Sequence, residues 1–189
     1  MSGWLTYWWR HGRLPDIDAP RTFTEWVQWR KLNERSLYLA AMTDKIAAKA
    51  LVAGRLGAEW VLPTLWQGKE APPNDYKVYV FGGSAEVVQV HTGQMSDHRW
   101  VQYDPRWNRL SNGEDCPPPV GLDAMIVAAE ALGQGHDFVR VDFYDIPGQP
   151  LFGEYCLYPG SGLDPFDPVG LDDMLGDKWR AARVALGRD

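Results

Sequence analysis

Two carboxylates in residues 138–162 have the spacing to hold a divalent cation. The segment reads FVRVDFYDIPGQPLFGEYCLYPGSG, with polar and apolar residues alternating on both sides of a Pro-Gly pair. Such alternation is typical of half-buried strands, and turn residues between two such runs predict a β-hairpin. With the turn centred on Gly148, Asp142 and Glu154 become direct partners, with Cβ atoms about 4.5–5.5 Å apart. Because like charges this close repel, the pair favours a cation between them, and Mg²⁺ takes carboxylate and phosphate oxygens.

A purely structural interpretation competes with the metal site. In that interpretation Arg140 neutralises the two carboxylates, and the hairpin presents only a solvated sheet face. The spacing alone does not separate the two, because the register depends on the assumed turn. The PGSG sequence at 159–162 favours a ligand, since Gly160 and Gly162 would let backbone approach it closely. That run lacks the spacing and the lysine of a P-loop.

Composition restricts the class of protein. The chain has 189 residues, is 45% apolar and 23% charged, and carries a net charge of −6, which is ordinary for a globular protein. Residues 71–189 are strongly acidic, which argues against nucleic acid as a partner. Two cysteines form neither a disulfide framework nor a zinc site. No apolar stretch is long enough for a transmembrane segment, and the N-terminal residues do not have the pattern of a secretory signal, so we expect a cytoplasmic location.

The order of helix and strand patterns predicts an α+β fold. Thr22 and Glu25 have the spacing of a capping box, so a helix should begin there. Polar-apolar alternation around Gly82-Gly83 indicates a hairpin, and a helical spacing of apolar residues follows later in the chain. The predicted elements are helices from about 22 and 44, strands at 76–81, 85–90 and 99–103, a helix at 122–132, the hairpin, and a helix at 177–186. The result is a set of N-terminal helices followed by an antiparallel-rich sheet with one helix packed on it.

Four stretches of the chain resemble the ATP-grasp superfamily, and in particular its TupA-like branch, named for teichuronopeptide biosynthesis. They are RTFTEWVQWRKL at 21–32, DYKVYVFGG at 75–83, VRVDFY at 139–144 and FGEYCLYPGSGL at 152–163. Their order is that of the family, as is the segment at 91–110. The resemblance implies a fold like the C-terminal half of an ATP-grasp enzyme. It also implies a ligase that joins a carboxylate to an amine through an acyl-phosphate, with ATP as substrate and Mg²⁺ as cofactor.

The resemblance implies roles for individual residues. Asp142 and Glu154 match the magnesium ligands of the family, the pair that the hairpin register also selects. Lys77 and Arg140 would act on the phosphoryl group, and Lys77 would bind the nucleotide together with the glycines at 160 and 162. Substrate contacts would come from His98 and Arg99, for which a merely solvated loop pair is the alternative. The substrate would be a small molecule or a saccharide of the cell envelope.

The chain departs from the family pattern in two places. ATP-grasp enzymes hold ATP between two lobes, and the earlier lobe supplies a lysine and a glycine-rich loop. Here only Thr64 to Asn74 lies where those motifs belong, and Lys69 in this Gly/Pro-rich connector is a surface residue by its context. The second departure is Cys156, which occupies the place of a metal-binding Asn, and a thiol is a poor ligand for Mg²⁺.

These departures leave two functions open. The chain is either an ATP-dependent ligase or a non-catalytic remnant that binds a metal or a partner. We predict a helical region at 1–67, a connector at 68–75 and an ATP-grasp-like lobe at 76–189. A missing lobe would leave apolar surface uncovered, so self-association is expected on that face.

Overall fold

The structure, a computed structural model, describes residues 3–62, 74–92, 99–146 and 149–188. Within these ranges the helices and strands follow in the order α1 (Gly3–His11), α2 (Phe23–Asn33), α3 (Leu37–Thr43), α4 (Lys45–Leu56), β1 (Asp75–Phe81), β2 (Ser84–Thr92), β3 (Arg99–Tyr103), α5 (Leu122–Gly133), β4 (Val139–Ile146), β5 (Gln149–Cys156) and α6 (Gly170–Ala185). Most of the predicted connector lies outside the described residues. No helix in the described ranges is long and apolar enough to cross a membrane.

The five strands form one antiparallel sheet in the order β3-β2-β1-β4-β5. This confirms the predicted α+β class. The expectation of one helix on the sheet is wrong, because helices cover both faces. The sheet lies between the helices because β1 and β4 present buried apolar side chains on one face, and β1 also presents Tyr79 and Phe81 on the other.

Two hydrophobic cores flank the sheet. On one face, Val78 and Val141 pack with residues of α3, α4 and α5. On the other face, Tyr79 and Phe81 pack with α2 and α6, around the fully buried Trp179. Helices of the predicted N-terminal region therefore contribute to both cores, and the division at residues 67 and 76 stays a prediction.

The start of α2 is fixed by Glu25. The predicted capping box is present: the Thr22 hydroxyl accepts from the Glu25 N–H, and the Glu25 carboxylate accepts from the Thr22 N–H. The same carboxylate also accepts from Arg21 N–H and Asp16 N–H and pairs with Arg13. A single buried side chain therefore holds the preceding loop against the helix.

The end of α2 is fixed by Asp137, which precedes β4. Its carboxylate accepts hydrogen bonds from Arg30 on α2 and from Arg183 and the Trp179 indole on α6. Both guanidinium groups are buried and therefore need carboxylate partners, and each pairs with Glu34 as well as with Asp137. The interaction joins two helices and the central sheet at one point.

We predict that Gly176→Ala destabilises the protein by about 2 kcal/mol or more. A Cβ at this position of α6 would lie 1.9 Å from the Arg21 carbonyl oxygen and 2.7 Å from Thr22 Cα, so backbone would have to move. Gly170→Ala is the matched control in the same helix, since its Cβ would have no atom within 4 Å. Urea unfolding measures both. Equal stabilities of the two variants would contradict the close packing of α6 on this segment.

Candidate functional site

The register between β4 and β5 places Asp142 directly opposite Glu154. The predicted pairing is therefore confirmed at the two carboxylates. It fails nearer the turn, where the register shifts after Asp142 and Phe143 pairs with Phe152. The extra residue is Gly153, which forms a β-bulge. Because a bulge reverses the alternation, Phe152 lies in the core, whereas the sequence pattern placed it on the same face as Glu154.

Asp142 is the centre of a buried ion cluster. Its Oδ2 accepts from Lys77 Nζ at 3.0 Å and from Arg140 Nη2 at 2.6 Å, and its Oδ1 accepts from Arg140 Nε at 2.7 Å. Lys77 also pairs with Asp75. The three residues meet because Lys77 on β1 lies opposite Asp142 on β4, and Arg140 is two residues earlier on the same face.

The carboxylates in this cluster favour the charged forms of Lys77 and Arg140. Burial is the largest single influence and acts to lower the pKa of Lys77, but the carboxylates of Asp142 and Asp75 together outweigh it, so the pKa lies above its ordinary value. Burial is likewise the largest single influence on the pKa of Arg140 and acts to lower it, but the charge and the hydrogen bonds of Asp142, with smaller contributions from neighbouring groups, outweigh it, so that pKa is also raised. Glu154 is exposed, in contrast to the buried Asp142. The face thus carries one shielded and one accessible carboxylate.

A cavity of about 380 Å³ lies over this face. Lys77 and Arg140 line it, together with residues of the first turn of α2 and Gly160. Sequence reasoning missed its uncharged polar wall, formed by Gln89 on β2 and Gln102 on β3. Gln102 donates to Gln89 Oε1 at 3.1 Å, and the Tyr79 hydroxyl donates to the same atom at 3.1 Å. Polar side chains at alternate positions of β2 were the signal that could have revealed this wall.

The two candidate glycines have different surroundings. Gly160 lines the cavity and has a positive φ of 53°. Gly162 is buried against α2, where an added Cβ would lie 2.9 Å from the Thr24 carbonyl oxygen. His98 lies outside the described residues. Arg99 is described only by its backbone, which pairs with Thr92 at the start of β3.

The donor set on this face fits a magnesium ion that takes few protein ligands. Asp142 Oδ1 accepts one of the hydrogen bonds described above, and a carboxylate oxygen has two lone pairs. Glu154 is exposed beside it. Burial raises the pKa of the Cys156 thiol and keeps it protonated, which is unsuitable for a metal ligand. Among the residues that the structure describes, no three His, Cys, Asp or Glu side chains form a complete metal site.

We predict that Asp142→Ala lowers the free energy of unfolding by about 3 kcal/mol, because it leaves Arg140 and Lys77 buried without this counter-charge. Glu154→Ala is the matched control: it removes the opposing carboxylate, and its exposed position limits the change to about 0.5 kcal/mol. Urea unfolding at neutral pH measures both. A loss at Glu154 as large as that at Asp142 would contradict the assigned burial of the ion cluster.

Comparisons with known proteins give one family and several distant structures. The family model described as TupA-like ATPgrasp matches residues 67–180. No curated protein matches the chain. Solved structures with some similarity include the ATP-grasp ligase PsnB, in complex with a phosphomimetic variant of minimal precursor, Mg and ADP, at 15% identity and a TM-score of 0.34. The macrocyclase MdnB from Microcystis aeruginosa MRC is another, at 16% identity and a TM-score of 0.35.

The chain is shorter than these enzymes. The PsnB match covers 60% of this chain and 34% of PsnB, and the MdnB match covers 86% of this chain and 63% of MdnB. Since the family model spans more than half of the sequence and includes the whole described sheet, the chain belongs to the TupA-like ATP-grasp family.

Proposed function

We propose that this chain binds ATP with Mg²⁺ on the sheet face around Asp142 and takes part in an ATP-dependent carboxylate–amine ligase reaction. The observation that supports the proposal is the pairing of two cations, Lys77 and Arg140, with Asp142 beside a cavity, while a second carboxylate, Glu154, lies opposite Asp142 on the next strand. Phosphoryl transfer depends mainly on positioning and on electrostatic stabilisation, and these are the groups that it uses.

Each residue has a distinct part in this proposal. Asp142 and Glu154 would hold the magnesium ion, since Mg²⁺ is commonly bound through one or two carboxylates. The ion neutralises charge on the phosphate chain when it is bound. Lys77 and Arg140 line the cavity and would stabilise the oxygens of the γ-phosphoryl group as it passes from ATP to the substrate carboxylate and ADP leaves. The amine would then attack the carbonyl carbon of the acyl-phosphate, and inorganic phosphate would leave as the amide forms.

The substrate side of the cavity supports a polar small molecule or saccharide. Gln89 and Gln102 offer amide donors and acceptors there, and Gly160 lets backbone lie close to a ligand. We keep His98 and Arg99 as substrate contacts and Gly162 as part of the nucleotide-binding turn only as proposals. A role in cell-envelope polysaccharide biosynthesis, a cytoplasmic location and self-association likewise stay predictions.

One observation favours the alternative function, a non-catalytic module. Both oxygens of Asp142 already accept hydrogen bonds from cations of the chain itself, so the cluster is electrostatically complete without a metal. In this alternative the ion cluster only stabilises the sheet, and the surface binds a partner or a metal weakly. Nucleotide binding separates the two functions.

We predict that ATP raises the melting temperature in a Mg²⁺-dependent way, because a ligand at about a hundred times its Kd stabilises the folded state by about 2.7 kcal/mol. The increase should be lost in Asp142→Asn and in Glu154→Gln, each compared with its own ligand-free baseline. Differential scanning fluorimetry with and without EDTA measures it.

Asp173→Asn is the matched control, since it makes the same acid-to-amide change at an exposed position of α6. It should keep the full ATP-induced shift. If millimolar ATP with Mg²⁺ leaves the melting temperature of the unaltered protein unchanged, the ligase proposal is wrong and the binding-module function is favoured.

A further inference from the structure

A second, larger cavity lies at the other end of α2. Its volume is about 760 Å³, within the range of small-molecule sites. Phe23 and Thr24 of α2 line the first cavity, whereas Asn33 and the following Glu34 line the second. With a rise of 1.5 Å per residue, the helix separates the two by about 15 Å. Nothing in the proposed ligase chemistry uses this second cavity.

The lining of the second cavity is strongly basic. Four guanidinium groups contribute to it, and they come from the segment after α2, from α4, from α6 and from the C-terminal segment. Two carboxylates also line it. The four are Arg35, Arg55, Arg183 and Arg188. The carboxylates are Glu34 and Asp137, and Asp137 is already shared with the buried Arg30 beneath the cavity. The lining described by the structure therefore carries an excess of positive charge.

Two of these arginines are held in place by backbone carbonyls. Arg55 Nη1 donates to the carbonyls of Ala131 and Leu132 at 3.2 and 3.1 Å, and Arg188 Nη2 donates to the Gly135 carbonyl at 3.0 Å. These neutral acceptors orient both side chains. Arg188 Nη1 also lies 3.7 Å from Asp137 Oδ1, but Asp137 pairs with Arg30 and Arg183 as well, so this one carboxylate balances the three cations only in part. A guanidinium has five N–H donors, more than these bonds use, so both can also bind an anion.

The arginines around the cavity affect a histidine at its floor. His136 is buried there and stacks on the exposed Tyr38, with ring centroids 5.6 Å apart. Burial, together with Arg55, Arg30 and Arg188, lowers the pKa of His136 to about 4, and the opposing Asp137 does not offset them. At neutral pH the ring is therefore an uncharged hydrogen-bonding group in a basic pocket.

We propose that this second cavity binds a small molecule with at least two phosphate or carboxylate groups, at a site distinct from the face around Asp142. The anion bridges Arg55 and Arg188 across the His136 floor. Planar guanidinium groups match both phosphate and carboxylate oxygens in paired hydrogen bonds, so either chemistry fits. Such a site would allow an anionic metabolite to act on the protein from outside the nucleotide-binding face.

The direct test is calorimetric titration with pyrophosphate and with citrate at constant ionic strength. Saturable binding of either probe by the unaltered protein is expected, and the tighter one assigns the phosphate or the carboxylate class. Arg55→Gln and Arg188→Gln should each weaken binding about tenfold or more. Both side chains are exposed, so the variants should fold.

Arg180→Gln is the matched control, because Arg180 is an exposed arginine of α6 that pairs with Asp177 and does not line the cavity. It should bind the probe normally, as should Asp142→Asn, which separates this site from the nucleotide site. The absence of saturable binding with both probes would overturn the proposal. Equal weakening in Arg180→Gln would overturn it too, since that result indicates general charge screening.

A local readout comes from the ring resonances of His136 in an NMR titration. A bound anion next to the ring favours its charged form, so His136 should become protonated at a higher pH with pyrophosphate than without it. The His136→Asn variant assigns the signal. If the pH titration of this ring is the same with and without the probe, the anion does not occupy this cavity and the proposal is wrong.

Discussion

The register of β4 against β5 is the constraint on which the candidate site depends. Side chains alternate with a period of two, so a slip of one residue would turn Glu154 away from Asp142. The bulge at Gly153 allows Phe152 and Tyr155 to pack in the same core while Glu154 stays opposite Asp142. A Cβ at this position would lie 3.2 Å from the Asp142 carbonyl oxygen, which explains the suitability of glycine.

The arrangement of charges determines which of the two carboxylates is already paired when no ligand is bound. Asp142 is buried and paired with two cations, whereas Glu154 on the next strand is exposed. Asp142 therefore contributes to the stability of the sheet, whereas Glu154 contributes only slightly. A ligand with both a divalent cation and phosphate oxygens fits such a face because it can bind the carboxylates and the cations together. This is why nucleotide binding with metal is the function that the geometry supports best.

Much of this arrangement could be predicted from the sequence where the signal is local. The capping box at Thr22 and Glu25, the strand at 99–103 and the Asp142–Glu154 pair all follow from spacing within a few residues. The bulge at Gly153 could not be predicted, because it depends on the core that Phe152 enters. Helix α1 was not predicted either, because its only buried residue, Tyr7, is held by a hydrogen bond to Thr24 on α2.

Features formed by residues that are far apart in the sequence could not be predicted, for the same reason. Helix α6 begins at Gly170, seven residues before the predicted start, because its first turns pack on the loop before α2. The second cavity combines residues separated by more than 130 positions in the sequence. Spacing reveals residues that share one strand or one helix face, whereas sites built from several elements need the fold.

We propose that Asp142 and Glu154 together hold a metal ion on nucleotide, and water proton relaxation with Mn²⁺ measures whether they do. Mn²⁺ accepts the same oxygen ligands as Mg²⁺, and a protein-bound Mn²⁺–nucleotide complex relaxes water protons differently from the free complex. We expect Mn²⁺ and a non-hydrolysable ATP analogue to relax water protons faster when the protein is present than when it is absent. This enhancement should be lost in the Asp142→Asn, Glu154→Gln double variant. A rate equal to that of the free Mn²⁺–nucleotide complex, with the unaltered protein present, would contradict the proposal.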